Sequence, residues 1–385
     1  MLNGLKVPGV GTVNGASLTG SEALRRYATT NIWVANGEVG ALANFINNTN
    51  AFGGARGQLL RNAGLPENFI VVNPQFGSVT LHGNNDNSTY HSLVTQVTKR
   101  MSHGVTGQFA YTWAKTLGNS VASDMSQNTD TTSVVRDPRN RSLQKGPVSF
   151  DRRHQFNAFG TWDLPFGPNR GILAAAPVWV SRIVEGWQVS GIFNWDSGTP
   201  LGFWAGAVTG MNAAFRQTLG YGPVALPLTQ DPNTADLIGT LPNGFGKVQV
   251  QNGFVQYFPG LQTQRAPLPN FGGDANLAGR FSNQVVVDRN SNIVLQNPQP
   301  GTTGNSSYRW FNGPGHMRFD AALSKRIQIA ESKAFTIRAD AINLLNRPIW
   351  GDPNTDINSA SFGRITGYAR GYFPRTITIG TRFDF

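Results

Sequence analysis

The side chains able to do chemistry are few and poorly grouped in this sequence. The five histidines are His82, His91, His103, His154 and His316. No two of them stand at a spacing that suits a shared metal ion. His154 follows the charged run 151–153, where solvation at a strand end explains a histidine better than catalysis does. We therefore predict no catalytic residue, no cofactor-binding residue and no metal ligand, and we expect that the protein is not an enzyme.

The composition favours strands and turns over helices. Of 385 residues, 14% are charged, 11% are aromatic, 45 are glycine and none is cysteine. The missing cysteines exclude disulfide scaffolds and thiolate metal sites. Gly, Pro, Asn and Thr recur in every region, which disfavours long helices and suits many turns. The net charge of +11 comes from scattered residues without a basic run, so we predict no nucleic-acid partner.

The C-terminal segment 375–385 alternates with a period of two. Ile377, Ile379, Thr381, Phe383 and Phe385 share one face of the predicted strand, and the residues between them form a more polar face. A soluble edge strand can alternate in the same way. A chain that ends on phenylalanine in such a strand resembles outer-membrane barrel proteins more specifically. We predict that Ile377, Ile379, Phe383 and Phe385 form an assembly signal for the barrel-assembly machinery.

The same alternation recurs upstream. The predicted strands are 88–100, 104–117, 151–164, 186–199, 315–329, 333–345 and 373–385. They place apolar side chains opposite polar or charged ones, as the lipid-facing and lumen-facing residues of a membrane barrel do. A soluble β-sandwich or propeller with its apolar face inward gives the same pattern. Lys325 falls on an apolar face, and we expect its long side chain to snorkel to the membrane interface.

The lengths of the connections favour the membrane barrel. Tight turns are predicted around residues 102–103 and 331–332, whereas the connections 118–150, 200–314 and 346–372 are long. Outer-membrane barrels have short periplasmic turns and long extracellular loops. The connection 165–185, which falls on the periplasmic side, fits this rule less well. Inside the longest loop, residues 284–296 are predicted to form a hairpin with a polar turn.

These patterns together predict an all-β fold, an antiparallel transmembrane outer-membrane β-barrel. Residues 1–87 are predicted to be a loop-rich extracellular segment with a possible short helix at 21–27, and residues 88–385 to carry the barrel strands. The side chains predicted to face lipid are Phe109, Trp113, Phe156, Trp187, Phe193, Phe319, Phe335 and Ile379. The predicted membrane-interface aromatics are Tyr111, Trp113, Trp162, Trp187 and Trp195. We expect the protein to reside in the lipid of the cell outer membrane of a Gram-negative bacterium.

Short phrases in a fixed order resemble the Oar-like subgroup of TonB-dependent receptors. They are NPQFG at 73–77, YHSL at 90–93, KR at 99–100, YTWAK at 111–115, FDRRH at 150–154, GWQ at 186–188, SGTP at 197–200, VLQNPQPG at 294–301, GPG at 313–315, RADAINLLN at 338–346 and SFGRI at 361–365. The resemblance covers residues 60–385, and it rests on the order of the phrases more than on any one of them.

The resemblance implies a 22-stranded barrel, about the size of the outer-membrane transporters whose lumen is plugged. It also implies an N-terminal plug domain and energy supplied by an inner-membrane complex through TonB. The sequence has no recognisable plug, TonB-contacting segment or export signal. We therefore expect the C-terminal third of such a barrel, with the TonB complex as a partner through the missing plug. Strands 88–100 and 373–385 would be its free edges.

Two functions stay open on the sequence alone. The first is uptake of a bulky substrate by the intact TonB-dependent receptor, after an unknown extracellular ligand has bound. The second is a surface-exposed β-rich binding or adhesion module without transport activity. A plug and a signal peptide encoded upstream would decide for the first.

Overall fold

The computed structural model describes mainly residues 39–48, 64–71, 87–119, 145–168, 170–205, 234–268, 282–298 and 304–385, with a few shorter pieces between residues 12 and 142. Its helices are α1 (Val39–Asn48), a 3-10 helix (Glu67–Phe69) and α2 (Val178–Val184). Its strands are β1 (Thr12–Val13), β2 (Ala16–Ser17), β3 (Ser88–Ser102), β4 (Val105–Gly118), β5 (Gly146–Pro147), β6 (His154–Asp163), β7 (Trp187–Asp196), β8 (Pro200–Leu201), β9 (Asp236–Leu237), β10 (Gln249–Gln251), β11 (Phe254–Gln256), β12 (Gln262–Arg265), β13 (Gln284–Val287), β14 (Ile293–Gln296), β15 (Phe311–Asn312), β16 (His316–Ala330), β17 (Lys333–Ile342), β18 (Arg364–Ile365) and β19 (Thr376–Asp384). Within the described ranges, no helix has both the length and the apolar character needed to cross a membrane.

Seven long strands form one antiparallel sheet. Their order is β19-β17-β16-β7-β6-β4-β3, and the short β5 pairs with the end of β4. The strands are 9 to 15 residues long, which is close to the length of transmembrane strands. All seven predicted strands are present, so the prediction of an almost entirely β structure is confirmed.

Register divides this sheet into two chemically different faces. Phe109, Ala158, Phe193 and Phe319 stand directly opposite one another on four neighbouring strands. Because neighbours directly across a pair of strands point the same way, these residues lie on one face, which we call the apolar face. The residues between them form the polar face. All eight side chains predicted to face lipid fall together on the apolar face.

The apolar face is not the inside of a sandwich. Leu93, Phe109, Trp113, Trp162 and Ile379 are all exposed on it. In the part of the chain that the structure describes, no second sheet packs over these side chains. An exposed apolar surface of this kind needs an apolar environment. This excludes the soluble sandwich, in which the same side chains would interdigitate in a closed core.

Two tight turns lie at the same end of the sheet. Glu331 and Ser332 connect β16 to β17, as predicted. The turn between β3 and β4 is centred on His103 and Gly104, one residue later than predicted, and both residues have positive φ angles of 53° and 77°. A two-residue turn with positive φ at both positions matches the twist of the flanking strands, and glycine adopts this φ without strain. The glycine therefore determines where the turn falls.

We expect Gly104→Ala to destabilise the β3–β4 hairpin by about 1–2 kcal/mol, because a side chain disfavours this left-handed backbone. An added Cβ at Gly104 would also lie 2.8 Å from the carbonyl oxygen of Asp163. Gly380→Ala is the matched control, since its Cβ would meet nothing within 4 Å. Urea titration of isolated membranes, read out by protease resistance, should separate the two variants. Equal stability of the two would contradict the steric argument.

The long connections 200–314 and 346–372 contain more regular structure than the one predicted hairpin. Their described residues fold together into what we call the loop module. In it β10, β11 and β18 form one antiparallel sheet, and β9, β12, β13 and β14 form another. Its buried apolar cluster contains Phe203, Ala235, Val255, Tyr257, Phe258, Leu261, Val286, Val294, Leu295, Ile357, Phe362 and Ile365. The main buried core of the described chain therefore lies in this module and not in the large sheet.

The predicted hairpin at 284–296 is confirmed as β13 and β14, and Asp288 organises its turn. The Asp288 carboxylate accepts hydrogen bonds from the backbone N–H groups of Asn290 and Asn292, at 2.8 and 2.9 Å. Its other oxygen accepts one from the Asn292 side-chain amide at 3.1 Å. The hydrogen bonds from Asn292 hold the pKa of Asp288 below its usual value.

Lowering the pH should loosen this turn. Since the folded turn lowers the pKa of Asp288, its stabilising effect is present above the carboxyl's ordinary pKa and is lost as the pH falls through the folded-state pKa. We expect faster hydrogen exchange at the Asn292 amide at acidic pH, after correction for the intrinsic rate. Asp288→Asn should show fast exchange at all pH values. A pH-independent corrected rate in the unaltered protein would contradict this role.

The N-terminal segment contains regular structure that the sequence pattern did not predict. α1 spans Val39–Asn48, and its Phe45 and Ile46 are buried. The apolar residues Leu42, Phe45 and Ile46 recur at helical spacing, but Gly40 and the asparagines obscure the pattern. The short helix predicted at 21–27 lies almost wholly outside the described residues.

Candidate functional site

The polar face carries a repeated Arg-X-Asp motif on the three C-terminal strands. In a strand, residues two apart point to the same face, so each arginine meets the aspartate of its own strand. The nitrogen–oxygen distances in these pairs are 2.8, 2.7 and 2.6 Å. The pairs are Arg318–Asp320, Arg338–Asp340 and Arg382–Asp384. The sequence analysis did not identify this motif, although the sequence contains three copies of it on successive strands.

The ion pairs make this face hydrophilic without a large net charge. Arg326 on β16 also reaches Asp384 on β19, at 3.5 Å. Such solvent-exposed pairs contribute little to stability, about 0–1 kcal/mol each. The Arg338–Asp340 and Arg382–Asp384 pairs line an open depression of 740 Å³. Asp163 and Gln188, which are joined by a hydrogen bond of 2.7 Å, also line it. The face is therefore suited to water and polar solutes.

An apolar patch interrupts the polar face near its centre. Phe159 on β6 and Ile192 on β7 stand directly opposite each other and are 53% and 51% exposed. Gln108 and Asp320 flank them on the adjacent strands, and all four line a second depression of 460 Å³. Alternation across whole strands predicted polar residues on this face, so single apolar side chains within it were missed. The patch offers a mixed apolar and polar contact surface.

His154 lies among aromatic rings at the other end of the sheet from the tight turns. Its Nδ1 is 2.7 Å from the hydroxyl oxygen of Tyr111, and its ring stacks between those of Tyr111 and Trp195. His154 is the first residue of β6, as predicted for a strand-end residue, but it is half-buried and hydrogen-bonded to Tyr111 and not fully solvated. Of the other histidines, His316 lies 3.3 Å from Asp196, which also pairs with Arg152. His82 lies outside the described residues.

The five predicted interface aromatics all lie on the apolar face, in two groups. Trp162 and Trp187 lie toward the end with the tight turns, and Tyr111, Trp113 and Trp195 lie toward the opposite end. Trp113, Trp162 and Trp195 are exposed, whereas Trp187 is half-buried. The Trp187 indole N–H donates to the carbonyl of Ile183 at 2.9 Å, so this ring also has a structural contact. Their role at the membrane interfaces stays a prediction.

The predicted assembly signal lies on an edge of the sheet. Ile377, Ile379 and Phe383 belong to β19, whose strand partner within the described residues is β17. Phe385 follows the strand, and its ring stacks on that of Phe383 with centroids 6.2 Å apart. All four side chains are exposed. This placement leaves them accessible to another protein, and recognition by the barrel-assembly machinery stays a prediction.

Lys325 does not snorkel, which corrects the expectation for this residue. It is buried on the apolar face, and its Nζ donates to the carbonyls of Arg182, Ile183 and Glu185 at 3.0, 2.8 and 2.8 Å. These carbonyls belong to the C-terminal end of α2, where a helix leaves its last carbonyls without backbone partners. The ammonium also lies 5.1 Å from the centre of the Trp187 ring. The lysine therefore fastens the connection 165–185 to the sheet.

Comparison with known families assigns the chain to one class. A family model described as "Outer membrane beta barrel domain" matches residues 19–378, which is most of the chain. Comparison with curated proteins and with solved structures found no significant match. The matched range includes the long strands of the sheet, apart from the last residues of β19, and the loop module.

Proposed function

Because the chain belongs to the outer membrane β-barrel domain family, we propose that its sheet is one arc of a large TonB-dependent barrel that takes up a bulky substrate. The protein resides in the outer membrane of a Gram-negative bacterium. In that membrane the apolar face contacts lipid, and the polar face with its arginine–aspartate pairs lines the lumen. No catalytic step is part of this function.

The observation that carries the proposal is that seven long strands lie in a row without closing. Within the described chain, β3 pairs with β4 alone and β19 pairs with β17 alone. A barrel of about 8 strands is already closed, and its interior is filled by its own side chains. A sheet that is still open after seven strands fits a wider barrel. Only a wide lumen has room for a bulky substrate and for a plug that controls it.

The proposal assigns different partners to different parts of the molecule. The barrel-assembly machinery would recognise the C-terminal residues of β19, and a plug domain that contacts the TonB complex would occupy the lumen. The loop module lies at the sheet end opposite the tight turns, where extracellular loops belong. It would meet the unknown extracellular ligand. The apolar patch of Phe159 and Ile192 gives the lumen a surface on which a plug can pack.

One observation favours the second candidate function. The loop module has a buried cluster of its own, which includes Phe203, Phe258 and Ile357. A folded extracellular module of this kind suits binding or adhesion as well as ligand capture for uptake. The two functions differ in whether the bound molecule enters the cell.

The open sheet itself can be tested in a planar lipid bilayer. We expect the 385-residue chain to give no stable ion conductance, because within the described residues the edge strands β3 and β19 have no second strand partner, and unpaired N–H and C=O groups are costly in hydrocarbon. On a gel run without heating, we expect no compact band that shifts on boiling. A stable conductance together with such a band would show that the chain closes into a pore by itself, and would contradict the proposal that its sheet is one arc of a larger barrel.

Uptake is tested in the bacterium that produces the protein. Deletion of the gene should abolish energised uptake of one bulky nutrient, with a ferric chelate, a corrinoid and an oligosaccharide as probes. Collapse of the proton gradient or loss of TonB should abolish the same uptake. Entry of a small sugar through general porins is the control and should not change. Loss of surface binding while the uptake of every probe continues would favour the adhesion module.

A further inference from the structure

The connection between β6 and β7, residues 165–186, carries apolar side chains on its surface. Val178, Trp179 and Ile183 of α2 are 78%, 69% and 59% exposed. On a helix, Trp179 and Ile183 are four residues apart and share one side, with Val178 at the edge of the same side, so the three side chains fall within about 140° of the helix circumference. Ser181 faces inward and donates a hydrogen bond to the carbonyl of Ala176. In water this face of α2 would be unfavourable, and an apolar neighbour would cover it.

The contacts of α2 fix where this face lies. Lys325 and Trp187 stand directly opposite each other on the apolar face of the sheet. The Lys325 ammonium donates to three carbonyls at the end of α2, and the Trp187 indole donates to Ile183. The helix is therefore fastened to the lipid-contacting side of the sheet. It lies at the end with the tight turns, which is the periplasmic end of an outer-membrane barrel.

The polar groups of this connection are satisfied in a way that suits a membrane interface. The three ammonium protons of Lys325 can each be donated to one of the three carbonyls, so the negative C-terminal end of the helix takes the place of water around the cation. The Arg182 guanidinium is exposed, and it pairs with Glu185 at 3.4 Å. An arginine beside a tryptophan and two aliphatic side chains on one helix face is typical of a helix that lies in a lipid interface.

We propose that residues 165–186 form an interfacial anchor, in which α2 lies in the periplasmic leaflet and buries Val178, Trp179 and Ile183 among phospholipid acyl chains. The occupant is phospholipid because the face continues the lipid-contacting apolar face without a break at Trp187 and Lys325. Arg182 then lies at the level of the headgroup phosphates. The proposal rests on the outer-membrane location of the sheet and not on transport.

These 385 residues contain no cysteine, so a single-cysteine variant carries one spin label within them, and the unaltered protein labelled in parallel gives the background. Labels at Trp179→Cys and Ile183→Cys are examined in outer membranes isolated from producing cells. The lipid control is Phe109→Cys on the apolar face, and the water control is Val250→Cys, which replaces an exposed residue of the loop module. We expect the ratio of oxygen to water-soluble nickel accessibility at 179 and 183 to be several-fold higher than at 250, and similar to that at 109.

Several outcomes would overturn the anchor. Nickel accessibility at 179 equal to that at 250 would place α2 in water. Protection of 179 from both reagents would mean that a protein covers it. High nickel accessibility at position 109 would mean that the apolar face of the sheet is in water, and the anchor would then have no membrane to bind.

A second measurement uses a milder substitution, Trp179→Phe, which keeps an aromatic side chain on α2. The difference in tryptophan fluorescence between the unaltered protein and Trp179→Phe is the emission of Trp179. We expect phospholipids that are brominated on the acyl chain to quench this emission. Aqueous iodide should quench it several-fold less. The reverse order of quenching would overturn the anchor even if the cysteine variants failed to assemble.

Discussion

Phe193→Arg is expected to destabilise the sheet in its membrane by about 2–4 kcal/mol, whereas arginine at the preceding residue, Ile192, is expected to be tolerated. The two residues are adjacent on β7 and point to opposite faces. Phe193 stands between Ala158 and Phe319 on the apolar face, with the Phe156 ring 5.7 Å away. An arginine there would place its charge in the hydrocarbon part of the membrane.

Ile192 has different surroundings. It stands opposite Asp320 on the polar face and lines an open depression, so an arginine at this position meets water and a carboxylate. The cost of Ile192→Arg should be limited to the lost contact with Phe159. The pair therefore compares the same new side chain, at the same depth, on the two faces of one strand.

The measurement is the amount of each variant in the outer membrane and its resistance to urea there, with protease protection as the readout. Phe193→Arg should be depleted and unfold at lower urea, while Ile192→Arg should resemble the unaltered protein. Equal losses would mean that the two faces have the same environment. A larger loss for Ile192→Arg would reverse the assignment of lipid and lumen.

The large sheet was predictable because its environment alternates with a period of two. Each strand such as β7 meets an apolar medium on one side and a wet one on the other, so the alternation appears in the local sequence. The hairpin of β13 and β14 was predictable for a similar local reason, since apolar runs flank a turn rich in Asp, Asn and Ser. The turn at Gly104 was misplaced by one residue because the need for positive φ was overlooked.

The loop module could not be predicted from local patterns. Its cluster joins Phe203, Val255, Val286 and Ile357, which come from distant parts of the chain. The strands of the module have only two to four residues, and Phe203 and Ile357 lie outside them. Such short strands have too few residues to display a period. Their stability comes from packing between segments and not from propensity within any one of them.

Exceptions on the large sheet were missed for another reason. Phe159 and Ile192 are single apolar residues on the otherwise polar face of β6 and β7. A pattern averaged over a whole strand does not reveal such single exceptions. The partners of Lys325 lie about 140 residues earlier in the chain, at the end of α2. No spacing within β16 could therefore reveal why a cation stands on the apolar face.

We expect Lys325→Met to destabilise the protein by about 2–3 kcal/mol, because hydrogen bonds to a charged group contribute more than neutral ones. Removing a buried charge can stabilise a protein when both partners are replaced by apolar groups. Here the substitution would leave the carbonyls of Arg182, Ile183 and Glu185 without their donor beside hydrocarbon, where unpaired polar groups are costly. We expect the loss of these three hydrogen bonds to outweigh the stability gained by burying an apolar methionine in place of a charge.

Arg326→Met is the matched control, since it removes a cation from the next residue of the same strand. Arg326 points to the polar face, and its 3.5 Å contact with Asp384 is solvent-exposed, so its loss should cost about 1 kcal/mol or less. Urea titration in isolated outer membranes gives the stabilities, and a spin label at position 179 reports on α2. In Lys325→Met the label should become more mobile, while in Arg326→Met it should not. Equal stability and equal label mobility in the two variants would mean that Lys325 does not hold the helix against the sheet.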